Sequence, residues 1–245
     1  MKQTLLFIHG FRGNKLGLTE LASKFPKQDY DVHLINIPPA GGKSLPAYSA
    51  RLYARFVGNY IRKNKLDHPV LIGHSMGSLI ASAAAERYPE LISDRLILLA
   101  PISQKPAFFF AMLTPLSALL PNKLIGYITT KYLYVGHDKK LLQDILKTTY
   151  SCGADYTSRS AIYKAAKFST SCAITDFVFK KDTLLLAGAQ DRLIPRKKTD
   201  LAATKLGAKA TYIQNCGHLL NYENPSKAAA TIKSFLKKST QSGSK

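Results

Sequence analysis

The sequence is poor in cysteine, in acidic residues and in long apolar runs, and each shortage excludes something. The three cysteines, Cys152, Cys172 and Cys216, form no CxxC pair and are odd in number. Neither a disulfide framework nor a cysteine-based zinc site is expected, and the thiols read as reduced core fillers. No apolar run reaches the ~18 residues that a membrane-spanning helix needs. Thr4–Ile8 is too short for the core of a signal peptide, and His9-Gly10 follows it where cleavage would require small residues. It reads as a strand, in a chain expected in the cytoplasm. Gly10 and Gly13 do not satisfy the three-glycine GxGxxG spacing, and Gly41-Gly42-Lys43-Ser44 has Ile37 where a P-loop needs its first glycine. A nicotinamide or other cofactor is not expected. Without HExxH or paired carboxylates, neither is a metal.

Acid is the sharpest deficit. There are 15 Asp and Glu against 35 Lys and Arg, a net charge of +20. The bases run from Lys2 to Lys245 in short clusters such as Arg62-Lys63-Asn64-Lys65 and Arg196-Lys197-Lys198. This spread favours a solvated basic surface over dedicated nucleic-acid binding, for which no helix-turn-helix, RRM, KH or zinc-finger pattern exists. An acidic partner or substrate stays open. At 245 residues and 46% hydrophobic, the chain has ample material for one large globular core.

Strand and helix patterns alternate through the first hundred residues. Thr4–Ile8, Asp31–Ile37, Pro69–Gly73 and Arg95–Ala100 read as strands. Between them, Leu16–Phe25 reads as a helix with Leu18, Leu21, Ala22 and Phe25 inward. Tyr48–Asn64 is a second, with Leu52, Phe56, Val57, Tyr60 and Ile61 inward, and Ser75–Arg87 a third. Single helices between strands imply a parallel sheet. From 102 to 176 no strand pattern stands out, and helical spacing returns in Lys140–Thr148 and Ser158–Phe168. The sheet pattern then resumes, with strands at Thr183–Gly188 and Ala210–Asn215 and helices at Lys197–Leu206 and Ala228–Lys237. The fold class is therefore α/β, a mostly parallel central sheet with flanking helices. Its core is residues 1–101 and 177–238, residues 102–176 are an inserted helical cap, and residues 239–245 are a disordered tail.

The chemistry centres on Gly73-His74-Ser75-Met76-Gly77, a GxSxG motif between a strand and an Ala-rich helix. Such an elbow raises Ser75 above the sheet edge, at the positive end of a helix. A serine needs a base, and the base needs an acid. Of six histidines, His218 alone lies beyond the resumed sheet, just after the last strand. Asp191 follows the preceding strand, whereas Asp182 comes before it and Ala100-Pro101-Ile102-Ser103 contains no acid. The candidate triad is Ser75, Asp191 and His218. The N–H groups of Phe11 and Met76 are the candidate oxyanion hole. His9 reads as a residue that shapes its loop. Gly10 and His74, together with Phe108, Phe109 and Leu113, are candidate substrate contacts. Phe110, Met112 and Leu116 extend that apolar cluster, while Arg12 and Lys43 are candidate contacts for an acidic substrate group.

With His9-Gly10, the GxSxG elbow, Asp191 and Gly217-His218 in place, the sequence resembles the α/β-hydrolase superfamily, in its compact serine esterase and lipase-like branch. The resemblance covers residues 9 to 218. It implies the α/β-hydrolase fold with a helical cap after the sixth family strand, the triad order Ser, Asp, His, and ester hydrolysis without cofactor. Three departures stand out. The family's first antiparallel hairpin is missing. The loop that often reads DxPGxGxS is here Asn36-Ile37-Pro38-Pro39-Ala40-Gly41-Gly42-Lys43-Ser44. Tryptophan is absent, which disfavours the haloalkane dehalogenases, and a serine nucleophile also disfavours the epoxide hydrolases. The implied activity is a carboxylic ester hydrolase acting on a small-molecule acyl ester, as monomer or homodimer. Alternatives are a lactonase, a thioesterase or acyl-carrier-protein esterase, a carbon–carbon bond hydrolase and, from another class, a noncatalytic ligand receptor.

Overall fold

The computed structural model describes residues 2–42, 44–105, 122–151 and 158–238. Among these residues, six strands form one sheet in the order β2-β1-β3-β4-β5-β6. They are β1 (Gln3–Ile8), β2 (Tyr30–Ile35), β3 (Val70–His74), β4 (Arg95–Leu99), β5 (Asp182–Gly188) and β6 (Lys209–Ile213). Every neighbouring pair is parallel. β1, β3, β4 and β5 are apolar without alternation because helices cover both faces.

Side-chain alternation divides the core. Leu6 and Ile8 of β1 and Leu71 of β3 face one cluster, with Tyr53, Val57 and Ile61 of α2 (Ala50–Lys63) and Leu79 and Ile80 of α3 (Met76–Arg87). Leu5, Phe7 and Ile72 face the other, with Leu21 of α1 (Thr19–Ala22) and Ala228, Ile232 and Leu236 of α9 (Pro225–Lys238). The expected helix over 16–25 is a 3₁₀ turn, Lys15–Leu18, running into the short α1, yet Leu18, Leu21, Ala22 and Phe25 are all buried. In α2 the buried face differs from the expected one. Tyr53, Ala54, Val57, Gly58 and Ile61 are inside, and Leu52, Phe56 and Tyr60 are only partly buried. The small residues win because the helix packs closely: a Cβ on Gly58 would stand 3.0 Å from the Tyr88 ring.

Among the described residues, three α-helices lie between β4 and β5: α4 (Asn122–Leu133), α5 (Lys139–Ser151) and α6 (Arg159–Ser171). After β5 come α7 (Arg196–Leu206), β6, α8 (Leu220–Glu223) and α9. The expected tail at 239–245 falls outside the described residues, as do Lys43, Phe108, Phe109, Phe110, Met112, Leu113 and Leu116. No helix among the described residues is long and apolar enough to cross a membrane.

The sheet order reverses between β1 and β3, adjacent strands whose successors β2 and β4 lie on opposite sides. Crevices at such switch points, beyond the carboxyl ends of the strands, are where open parallel sheets bind ligands. The loops after β1 and β3 meet there.

Candidate active site

Ser75 occupies that switch point. Its backbone has φ 53° and ψ −118°, a conformation rarely adopted by a side-chain-bearing residue. The surroundings hold it there. Ser75 N–H donates to Leu99 O at 2.9 Å, and Ser78 N–H and Oγ–H donate to Ser75 O at 2.8 and 2.6 Å. The flanking glycines are required by contact: a Cβ on Gly73 would lie 2.3 Å from Gly77 O, and one on Gly77 2.3 Å from Ile8 O. Ser75 is half-buried between buried neighbours, with its side chain at the start of α3.

The loops after β5 and β6 bring the partners. His218 Nε2 is 2.9 Å from Ser75 Oγ, and His218 Nδ1 is 2.8 Å from Asp191 Oδ2. The carboxylate only accepts, so Nδ1 carries the proton and Nε2 is left to accept from the serine hydroxyl. Asp191 is itself fixed. Its Oδ1 accepts Leu193 N–H at 2.8 Å and Ile194 N–H at 2.9 Å. Burial alone would raise its pKa; the His218 charge and hydrogen bond and these two amides outweigh it and hold the carboxyl below its ordinary value. The side chains of Asp191 and His218 are only 1% and 2% exposed, so their mutual geometry is shielded from water.

The β1 loop closes the other side. His9 Nδ1–H donates to Gly10 O at 2.8 Å, and Nε2 accepts Ile37 N–H at 3.0 Å, so His9 shapes the loop as expected. Burial lowers its pKa to about 4, opposed by the Gly10 bond, and keeps it neutral. Gly10 lies against the nucleophile: a Cβ there would be 3.0 Å from Ser75 Cβ. Phe11 follows, half-buried, with the Arg12 guanidinium 5.6 Å from its ring centroid. Met76 is the first residue of α3, where an N–H has no acceptor within the helix.

His74, expected beside the substrate, is buried, and its Nε2–H donates to His218 O at 3.0 Å. Burial first, then the nearby His218 charge, lowers its pKa to about 4. Cys172 and Cys216 are free thiols that burial pushes up to about 11 and about 12, which makes them poor nucleophiles. Cys152 is outside the described residues. Among the described residues no group of three His, Cys, Asp or Glu side chains could hold a metal. Glu223 escaped the sequence reading. It accepts the amides on both sides of His218, Gly217 N–H at 3.1 Å and Leu219 N–H at 3.2 Å. No motif marks it, because its partners are main-chain groups.

Known proteins match this frame along its length. A family model for the alpha/beta hydrolase fold matches residues 3–225. An uncharacterized hydrolase of Bacillus subtilis, YugF, is 25% identical over 251 residues, covering 96% of this chain and 90% of that protein. A Mycoplasma genitalium protein that bears an esterase/lipase name is 26% identical over 214 residues, covering 83% of this chain and 77% of its own length. The solved structure of an esterase from Exiguobacterium antarcticum superposes with a TM-score of 0.84 at 17% identity, covering 96% of this chain and 92% of that one. The parallel sheet, its switch-point serine and the family match over most of the sequence lead to one conclusion: the chain belongs to the alpha/beta hydrolase fold family.

Proposed function

We propose that this chain is a serine hydrolase that cleaves carboxylic esters through an acyl-enzyme. The observation that carries the reading is the continuous relay from Ser75 Oγ to His218 Nε2 and from His218 Nδ1 to Asp191 Oδ2, at 2.9 and 2.8 Å. Ser75 Oγ attacks the acyl carbonyl as His218 Nε2 takes its proton. The tetrahedral oxyanion is held by the N–H groups of Phe11 and Met76, one from the β1 loop and one from the start of α3. His218 then gives the proton to the leaving alkoxide, and the acyl group stays on Ser75. Water, deprotonated by the same nitrogen, attacks the acyl-enzyme and frees the acid. Asp191 stays ionised throughout, holds the Nδ1–H tautomer and stabilises the imidazolium.

Residues 102–176 act as the cap in this reading. Support comes from the position of α4–α6 between β4 and β5 and from the hydrogen bond of His218 N–H to Leu133 O, at 3.3 Å. Specificity for the acyl group would lie there, with Phe108, Phe109 and Leu113 as candidate pocket residues and Gly10 flanking the reacting centre. Lactones and thioesters undergo the same chemistry and are the nearest alternative substrates. A noncatalytic receptor would need neither the relay nor the strained serine.

The test is hydrolysis of p-nitrophenyl acetate, butyrate, octanoate and palmitate by the wild type beside Ser75→Ala. A triad serine accounts for about 10⁴–10⁶ in kcat, so the variant should fall to background while keeping its fold. Equal inactivity of both folded proteins on all four esters overturns the ester reading and moves the search to lactones and thioesters.

A further inference from the structure

The loop that carries His218 is held from two directions. From the core, His74 Nε2–H donates to His218 O at 3.0 Å. From the helices between β4 and β5, Leu133 O, at the end of α4, accepts His218 N–H at 3.3 Å. Glu223, the last residue of α8, joins the two sides. Its Oε1 takes Gly217 N–H and Leu219 N–H, at 3.1 and 3.2 Å. Its Oε2 takes Val135 N–H at 3.2 Å. One half-buried carboxylate thus serves three main-chain donors, two beside His218 and one in the α4–α5 connection. Burial raises its pKa, opposed by these amides and that of Gly136. The ionised form presents only acceptors to these donors.

We infer that Glu223 is a positioning residue for His218, a carboxylate clasp that ties the placement of the general base to the docking of the α4–α5 connection. This rests on the serine-hydrolase reading above. The imidazole must satisfy Ser75 and Asp191 at once, and its ring position follows from the main chain of residues 217–219. Release of the two flanking amides frees that segment to shift. A displacement of about 1 Å at a catalytic group can cost about 10²-fold in rate. Glu223→Gln separates the two halves of the clasp. Its amide oxygen can serve one side of the clasp, and its NH₂ then faces the other as donor against donor. Glu223→Ala removes both.

The experiment uses the full chain as wild type, Glu223→Gln and Glu223→Ala. It reads kcat and KM on p-nitrophenyl butyrate, the melting temperature, and the downfield proton resonance of His218 Nδ1–H on Asp191. The expected result is a folded Gln variant with kcat lowered about 10- to 100-fold, since misplacement acts on the reacting geometry. Its KM should stay within about twofold, because substrate binding is untouched. The Nδ1 proton should shift or broaden, and the Ala variant should be worse in each respect. Wild-type kcat with an unmoved Nδ1 proton, whatever the loss in melting temperature, overturns the proposal and leaves Glu223 a purely structural residue. If neither variant folds, Glu223→Asp keeps the charge on a shorter stem and is read the same way, with the same overturning result. If the wild type cleaves no ester, the ester reading falls by itself. The proton resonance and the labelling rate of Ser75 by a fluorophosphonate then decide the role of Glu223 alone.

Discussion

His9, in the loop after β1, and His74, at the end of β3, sit buried and neutral, each with its pKa lowered to about 4. In the unfolded chain both protonate near pH 6.5. Between pH 6.5 and 4 the unfolded state therefore binds more protons, and stability falls as pH falls. Each histidine contributes about 3 kcal/mol over that window. Asp191 acts in the same direction at lower pH: its carboxyl is depressed, so its contribution is lost as pH drops through its folded value. Urea unfolding at a series of pH values should give a free energy that is level above pH 7 and declines from pH 6.5 to 4. In His9→Gln the side-chain oxygen can still accept Ile37 N–H, and the slope should flatten by about one proton. A wild-type curve flat across the window would mean that these histidines titrate alike in both states. At this scale the hydrogen-bonded arrangement proposed as the triad was legible, since Ser75, Asp191 and His218 each follow a strand in a local pattern. The contacts of His74 and Glu223 were not, because each bonds main-chain groups near His218 that no side-chain motif records.

Elements meet at the site through bare backbone. The carboxyl end of β5 passes so close to the β6 loop that a Cβ on Gly188 would lie 2.2 Å from both Cys216 O and Gly217 O. Main chain on both sides cannot yield as a flexible side chain would. Gly188→Ala should push the His218 loop away from the Asp191 loop. Overpacking of this kind costs about 1–3 kcal/mol in stability, read as a lower urea midpoint. The displaced base should cost about 10²-fold in kcat. A variant destabilised but fully active would show that the two loops move together. The strands were the most readable elements, because β1, β3, β4 and β5 are buried on both faces and appear as unbroken apolar runs. The inward face of α2 was misread where bulk was taken for burial: Ala54 and Gly58 are inside because α2 lies close to α3 and Tyr88. The four-residue α8 is shorter than two helical turns and leaves no periodic trace, though it carries Glu223.

The whole molecule carries an excess of 20 positive charges, spread along the chain without a binding motif. Acids are scarce, and two of them do not serve lysine or arginine here: Asp191 holds His218, and Glu223 holds main-chain amides. Pairs such as Lys24–Glu20 and Arg196–Asp200 are i,i+4 contacts with exposed partners. Exposed pairs of this kind contribute only about 0–1 kcal/mol each. Net self-repulsion should therefore outweigh local attraction, and it acts against the compact state. Composition showed the size of the imbalance but not its location, since a spread of lysines leaves no period to read. Salt separates the two effects. The Debye length falls from about 30 Å at 0.01 M to about 3 Å at 1 M, which screens long-range repulsion throughout the surface. Sodium chloride should therefore raise the melting temperature at pH 7.5. A gain of about 1 kcal/mol corresponds to about 2–4 °C for a chain of this size. A melting temperature that falls with salt would mean that local ion pairs, few as they are, outweigh the net charge. The kcat for a neutral ester should stay level over the same range, because the His218–Asp191 pair is shielded from the solvent in which the salt acts.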